Sequence, residues 1–198
     1  MRRFERFAGI AVLGAVAVAA LAGCGPAPWE MDAGASESAA PTASVPTPVP
    51  NDLSSGATQR ELTAGAVSAT VDYWSTLAMD RWTAEAIKPV SISMTTTVVP
   101  DDGQKVYLQR ATMTAVPSSP TGTLAALEPQ VDAATVSPGY LVLNPYSYSQ
   151  TFHVGPVPAE ATSVTLQFTY DYLVQTTPTS SEYAKQTASD TLTVALTG

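Results

Sequence analysis

The chain contains very few of the residues on which covalent cross-links and much of enzyme catalysis depend. Its 198 residues include one cysteine, Cys24, and one histidine, His153. Because a disulfide needs two thiols, the folded part must be held together by its own hydrophobic core. A catalytic triad needs a histidine that is held against a nucleophile and oriented by an acid, and the sequence has no Gly-x-Ser-x-Gly elbow. The sequence therefore predicts no catalytic triad. We interpret His153 as an exposed residue of a strand.

Basic residues are also scarce, with nine Lys and Arg against 17 Asp and Glu and a formal charge of −8. A surface of this sign repels polyanions, which excludes nucleic acid as a partner. The only adjacent acidic pair, Asp101 and Asp102, precedes Gly103 and is explained as turn residues, whereas calcium needs six or more organised oxygens. We therefore expect no metal site, no cofactor and no catalytic residues, and predict that the protein is not an enzyme.

The first residues form a basic and then apolar segment that ends at the cysteine. Arg2, Arg3 and Arg6 precede an apolar run over residues 7–21, which is typical of a secretory signal. The run is shorter than the roughly 20 residues of a membrane span. Its end, Leu21-Ala22-Gly23-Cys24, resembles the lipobox of bacterial lipoproteins.

The lipobox resemblance implies that the Cys24 thiol receives a diacylglyceryl group and that residues 1–23 are a signal peptide cut off before it. Cys24 then anchors the protein in the lipid bilayer, on the extracytoplasmic side of the cell membrane, because two or more acyl chains hold a protein stably. Cleavage removes three arginines and one glutamate, which leaves a formal charge of −10.

A Pro-, Ala-, Ser- and Thr-rich stretch follows the cysteine, "GPAPWEMDAGASESAAPTASVPTPVPNDLSSG" over residues 25–56. It lacks apolar periodicity and is too poor in large apolar residues to offset the entropy of ordering. Residues 24–57 are therefore predicted to be the lipidated cysteine and a disordered tether, and residues 58–198 the folded domain.

Alternation with a period of two dominates the predicted domain. In "SVTLQFTYDYLV" the apolar residues from Val164 to Val174 fall on one face, with Leu166 and Phe168 among them, and polar residues fall on the other. Similar stretches within residues 64–75, 89–100, 105–117 and 190–198, and two within residues 140–155, bring the number of strands to about seven, with little helical periodicity. This pattern predicts an all-β fold, an antiparallel immunoglobulin-like β-sandwich, with a small β-barrel as the alternative.

Three local signals refine the prediction. "PDDGQ" over residues 100–104 has the Asp-Gly chemistry of a tight hairpin turn. The alternation slips in phase near Arg110, which indicates a β-bulge. Asn144-Pro145 divides a short strand from a longer one.

Aromatic residues are the remaining candidates for function. Trp74, Trp82, Tyr146 and Tyr148 form a candidate binding patch that would stack on a cell-wall glycan or contact an envelope protein. The alternative is that Trp82 plugs the end of the sandwich and the tyrosines complete the rim of the core. The sequence thus favours a membrane-anchored lipoprotein with a non-catalytic domain for binding or scaffolding in the cell envelope. A surface-anchored enzyme, or an accessory lipoprotein of a transporter, with an unrecognised site is the alternative.

Overall fold

Two antiparallel sheets pack face to face, because alternate residues of their long strands are apolar and point inward. The computed structural model describes residues 48–198, so the predicted signal peptide, Cys24 and most of the predicted tether lie outside the described residues. Within this range the strands are β1 Ala57–Ala64, β2 Val67–Trp74, β3 Lys88–Val98, β4 Val106–Ser119, β5 Gly122–Thr123, β6 Gln130–Ala133, β7 Tyr140–Leu141, β8 Tyr148–Val154, β9 Ser163–Gln175 and β10 Tyr183–Ala195. A 3-10 turn, Met79–Arg81, lies between β2 and β3.

Six of the strands follow the order of an immunoglobulin-like sandwich. One sheet runs β1-β2-β3-β8, and the other runs β10-β9-β4 with β5, β6 and β7 along the second edge of β4. Immunoglobulin sandwiches place strands A, B and E in one sheet and C, F and G in the other. Here β2, β3 and β8 take the first three places, and β4, β9 and β10 take the other three. The predicted all-β antiparallel sandwich is confirmed.

The second sheet curls toward the first on one side, which gives the domain a half-barrel character. Val142 lies between the sheets, where its N–H donates to the carbonyl of Val106 on β4 at 3.0 Å. Its carbonyl accepts from the N–H of Thr96 on β3 at 2.9 Å. The Thr96 carbonyl in turn accepts from the N–H of Asn144 at 2.9 Å. The segment around Val142 therefore joins the sheets through backbone hydrogen bonds. In the alternative fold, a β-barrel, such bonds would close the whole edge between the sheets.

Large side chains from both sheets fill the space between them. Leu166 and Phe168 on β9 are buried, as the alternation predicts, and the Phe168 ring lies 5.0 Å from that of Tyr73 on β2. Fully burying side chains of this size stabilises a fold by about 1.5–3 kcal/mol each. The core therefore supplies the stability that a chain with one cysteine cannot obtain from disulfides.

Two of the three local predictions are confirmed. The pairing of β4 with β9 shifts register between Leu108 and Arg110, which is the predicted β-bulge. A short strand, β7, and a longer one, β8, lie on either side of Asn144-Pro145.

The predicted hairpin at residues 100–104 is wrong. Gly103 adopts a φ of +91°, as its turn chemistry requires, but β3 and β4 belong to different sheets. Asp-Gly chemistry fixes only the local backbone, whereas the choice of strand partner depends on the rest of the fold. The segment is a corner between the two sheets.

The predicted start of the domain, residue 58, is too late. Leu53 is fully buried, and the N–H of Asp52 donates to the Thr193 carbonyl of β10 at 2.8 Å. The Asp52 carboxylate accepts the Thr193 N–H at 2.7 Å and pairs with Arg60 at 2.8 Å. The end of the predicted tether therefore belongs to the fold, since its polar groups satisfy the outer edge of β10.

Candidate functional site

The four aromatic residues of the predicted patch do not form one surface. Trp82 is fully buried, and its indole N–H donates to the Ser75 hydroxyl at 3.3 Å. Tyr148 is also buried, with its ring stacked 5.6 Å from that of Tyr140 and its hydroxyl donating to Asp132 at 2.6 Å. The prediction of an exposed patch is thus corrected for Trp82 and Tyr148, because both complete the core, as the alternative interpretation held.

Trp74 and Tyr146 occupy different places. Trp74 is half-buried at the end of β2, where it pairs with Ser91 of β3. Tyr146 is 57% exposed and lies in the turn before β8. Its N–H donates to the Leu143 carbonyl at 3.0 Å, which fixes the turn. Tyr146 is therefore the strongly exposed member of the predicted patch.

An open pocket of about 260 Å³ lies beside Tyr146. Two loops meet there: the corner between β3 and β4, and the segment between β7 and β8 that joins the sheets. Its lining consists of Gly103, Lys105, Leu141, Leu143, Asn144 and Tyr146.

Backbone and glutamine contacts hold the wall of the pocket that the corner between β3 and β4 forms. The buried side chain of Gln104 donates to the Pro100 carbonyl at 2.5 Å and accepts the N–H of Asp102 at 2.8 Å. The backbone of Lys105 exchanges hydrogen bonds with Gln175, whose side-chain oxygen accepts the Lys105 N–H at 3.0 Å. The pocket is thus built on a scaffold whose polar groups are already paired, which favours a preformed site.

The pocket combines apolar, amide and ionisable groups. Leu141 and Leu143 are half-buried and supply apolar surface, while Asn144, Tyr146 and Lys105 are exposed. The amide donates and accepts hydrogen bonds, the phenol does both, and the ammonium donates only. The lining contains no carboxylate, so it offers recognition groups without an acid–base pair.

Charges of both signs lie around the pocket, one ammonium and two carboxylates. Lys105 is the one cation in the lining, and Asp101 and Asp102 lie on the same corner. The Asp101 carboxylate accepts the Gly103 N–H at 3.1 Å, which keeps it at this end of the molecule. The carboxylates outnumber the cation, so an anionic ligand is disfavoured at this site.

The pocket lies at the end of the sandwich opposite to the entry of the chain. Ala57, at the start of β1, pairs with Trp74, which pairs with Ser91. At the other end Ala64 pairs with Val67, which pairs with Val98, the residue before the pocket corner. At about 3.3 Å per residue, Ser91 and Val98 are roughly 23 Å apart along β3.

Other polar groups in the core are structural. The hydroxyl of Tyr170 donates to that of Tyr73 at 3.1 Å. Burial raises the pKa of both phenols far above their usual range, so they stay neutral hydrogen-bonding groups. The Asp190 oxygen Oδ2 is buried nearby and has no hydrogen-bond partner among the described residues.

His153 lies on β8 with an exposed side chain, as predicted. Its backbone N–H donates to the side-chain oxygen of Gln130 on β6 at 2.9 Å, and its carbonyl accepts from the same amide at 2.5 Å. The side-chain amide of Gln130 therefore pairs with both backbone groups of His153, as the backbone of a neighbouring strand would, at the free edge of β8. In the part of the chain from residue 48 onward, no group of three His, Cys, Asp or Glu side chains is arranged to hold a metal ion.

The sequence interpretation missed Lys105 and Asn144 as site residues. Asn144 was recognised only as the residue before a strand-dividing proline, and Lys105 follows a turn whose partner sheet was wrongly predicted. Turn signals show where the chain bends, but the meeting of two turns depends on tertiary packing. Of the lining residues, Tyr146 is the one that the sequence analysis identifies, as an aromatic candidate.

Comparison with protein-family models gives no match for this chain, and a search of curated proteins gives no match either. Among the residues that the structure describes, no helix is long and apolar enough to span a bilayer. The geometry defines the class of the folded part: an antiparallel β-sandwich with immunoglobulin strand order and an open pocket at the end away from chain entry.

Proposed function

We infer that this protein is an extracytoplasmic lipoprotein whose sandwich is a non-catalytic binding module of the cell envelope. The observation that carries the proposal is the arrangement of the two ends. The segment that leads back to Cys24 enters one end of the sandwich, and the pocket opens at the other.

Lipidation at Cys24 supplies the anchor in this proposal. Leu21-Ala22-Gly23-Cys24 has small residues where the signal would be cut, and the cysteine would carry the acyl chains. Residues 25–50 would reach at most about 80 Å if fully extended in a polyproline II conformation. A pocket at the end of the domain opposite to the tether would then be accessible to envelope components.

Binding is favoured over catalysis by the lining of the pocket. The lining formed by the described residues contains no imidazole and no carboxylate, the side chains that most often act as general acid or general base. The lining instead offers an exposed ring, an amide and apolar surface on a paired scaffold, which is the composition of a recognition site.

The proposal is tested by crosslinking the anchored protein to envelope components in its own cells. Tyr146→Ala removes the exposed ring at the pocket, and Ile87→Ala removes an exposed apolar side chain, 63% accessible, that precedes β3 at the opposite end. We expect Tyr146→Ala to lose crosslinked envelope material and Ile87→Ala to retain it. Equal yields from the two variants would show that the pocket end does not bind.

A further inference from the structure

We propose that the pocket binds one neutral pyranose residue of an envelope glycan, with the sugar ring stacked on Tyr146. This inference rests on the proposed function and names the ligand of the same site. Four features of the pocket carry it: the exposed ring, the hydrogen-bonding groups, the balance of charge and the size.

The ring of Tyr146 provides the stacking surface. Its 57% exposure is unusual in this domain, where Tyr73, Tyr148, Tyr170 and Tyr172 are buried. One face of a pyranose presents C–H groups, which pack on an aromatic face while the hydroxyls point to the side. The hydrogen bond of its N–H to the Leu143 carbonyl fixes the backbone that carries the ring, so little backbone entropy is lost when a sugar binds.

Two hydrogen-bonding side chains share the pocket lining with the ring. The Asn144 amide offers both a donor and an acceptor, and the Lys105 ammonium offers donors. A hydroxyl also donates and accepts, so these groups match a sugar better than a ligand that only accepts. Leu141 and Leu143 contribute apolar surface for its C–H groups.

The balance of charge favours a neutral sugar over an acidic one. Lys105 would attract a carboxylate, but Asp101 and Asp102 occupy the same corner of the domain. The mature chain carries a formal charge of −10, which opposes the approach of an anionic polymer.

The size of the pocket limits the ligand to a single ring. Its volume of about 260 Å³ is just below the range of roughly 300–1,000 Å³ that is typical of small-molecule sites. We expect a Kd of about 1–10 mM, which corresponds to a binding free energy of about 3–4 kcal/mol from one stacking ring and a few hydrogen bonds. Many copies on one membrane can gain avidity on a polymeric glycan, because each further contact is intramolecular.

The test is saturation-transfer NMR on the full mature protein in detergent micelles, with three probes. Methyl β-D-glucoside is the neutral pyranose, methyl β-D-glucuronide differs from it by a carboxylate, and sorbitol has hydroxyls but no ring. We expect transfer to the glucoside, weaker transfer to the glucuronide and none to sorbitol.

Three variants locate the site. Tyr146→Ala should weaken glucoside binding about fivefold, since aromatic stacking contributes about 1 kcal/mol. Tyr146→Phe keeps the ring and should bind within about twofold of the wild type. Tyr183→Ala is the matched control, because this half-buried tyrosine packs against Tyr107 and is not part of the lining.

The inference is overturned by no transfer to the glucoside, by equal transfer to sorbitol, by preference for the glucuronide, or by unchanged binding in Tyr146→Ala. None of these results decides the proposed function, because the crosslinking test detects a protein partner as well as a glycan. If crosslinking fails while the glucoside binds at Tyr146, the sugar site stands and the envelope role falls.

Discussion

At the scale of single residues, Lys88 has the least ordinary environment in the domain. It is fully buried, and its ammonium donates to the backbone carbonyls of Ala86 at 2.6 Å, Thr83 at 3.0 Å, Gly155 at 3.2 Å and Ala84 at 3.4 Å. Burial lowers the pKa of Lys88, and the four carbonyls favour the charged form that donates to them. Lys88 thereby joins the loop before β3 to the chain after β8.

We predict that Lys88→Met lowers the free energy of unfolding by about 2–4 kcal/mol, because four backbone carbonyls lose the buried donor that they share. Urea denaturation measures the loss. The same substitution at exposed Lys185, which pairs with Asp171 at 3.1 Å, should cost less than about 1 kcal/mol. Equal losses in the two variants would mean that the carbonyl contacts of Lys88 contribute little.

At the scale of elements, β9 is the centre of the fold, since it pairs with both β4 and β10. Its inner face carries Phe168, whose ring contacts those of Tyr73 and Phe152 from the opposite sheet, at centroid distances of 5.0 and 6.0 Å. The packing of β9 therefore holds the two sheets together.

Phe168→Ala should destabilise the domain by about 3–5 kcal/mol, because it leaves a cavity between the sheets. A thermal or urea melt measures the effect. The neighbouring outward substitution Gln167→Ala should stay within about 0.5 kcal/mol of the wild type. A melt in which Phe168→Ala matches Gln167→Ala would contradict the inward face of β9.

The hairpin of β9 and β10 contains a pH-dependent contact. The Asp171 carboxylate accepts from the Thr187 hydroxyl at 2.7 Å and from the Lys185 ammonium at 3.1 Å. Partial burial alone would raise the pKa of Asp171, but these hydrogen bonds outweigh it and lower the pKa. A lowered pKa means that the contact stabilises the fold above the usual carboxyl pKa of about 3.9, and that this stability is lost as the pH falls through the folded value.

Thr187→Val should therefore cost about 1 kcal/mol at pH 7, and the difference from the wild type should shrink below about pH 3. Urea titrations at the two pH values compare the proteins, with Thr191→Val as a control on the same strand and face. A cost that is the same at both pH values would show that the ionised carboxylate is not responsible.

The sequence predicts those elements that carry their own signal, such as the six alternating apolar residues of β9 and the phase slip at the β4 bulge. It misses β1, because Arg60 and Glu61 interrupt any apolar pattern and the strand is held by pairing with β2. It predicts too short a β10, since the first part of that strand is polar.

The carboxylate of Asp190 points inward on β10, which is an edge strand. An inward-pointing charge on an edge strand discourages edge-to-edge association between sheets.

The candidate site is less predictable than the elements. Tyr146 is found from sequence as an aromatic candidate, but Trp82 and Tyr148 are equally aromatic and lie in the core. Aromatic character does not separate a stacking platform from a core residue, because both uses depend on the same apolar ring. Only tertiary structure shows that Lys105 and Asn144 lie beside Tyr146.

At the scale of the whole molecule, the two ends of the sandwich have different tasks in the proposed function. The entry end, with Leu53 and Trp82 buried, receives the chain that leads back to Cys24. The other end presents the pocket. The two ends differ in role only if the chain is anchored, so the proposed function depends on the lipidation of Cys24.

The most direct test is mass spectrometry of the N-terminal peptide of the protein isolated from its own cells. The account predicts a peptide that begins at Cys24 and carries a diacylglyceryl group on the sulfur, with residues 1–23 gone. Cys24→Ala provides the control, since it should keep the leader uncut and lose the lipid mass. A native peptide with a free Cys24 thiol, or with the leader still attached, would contradict the anchored module.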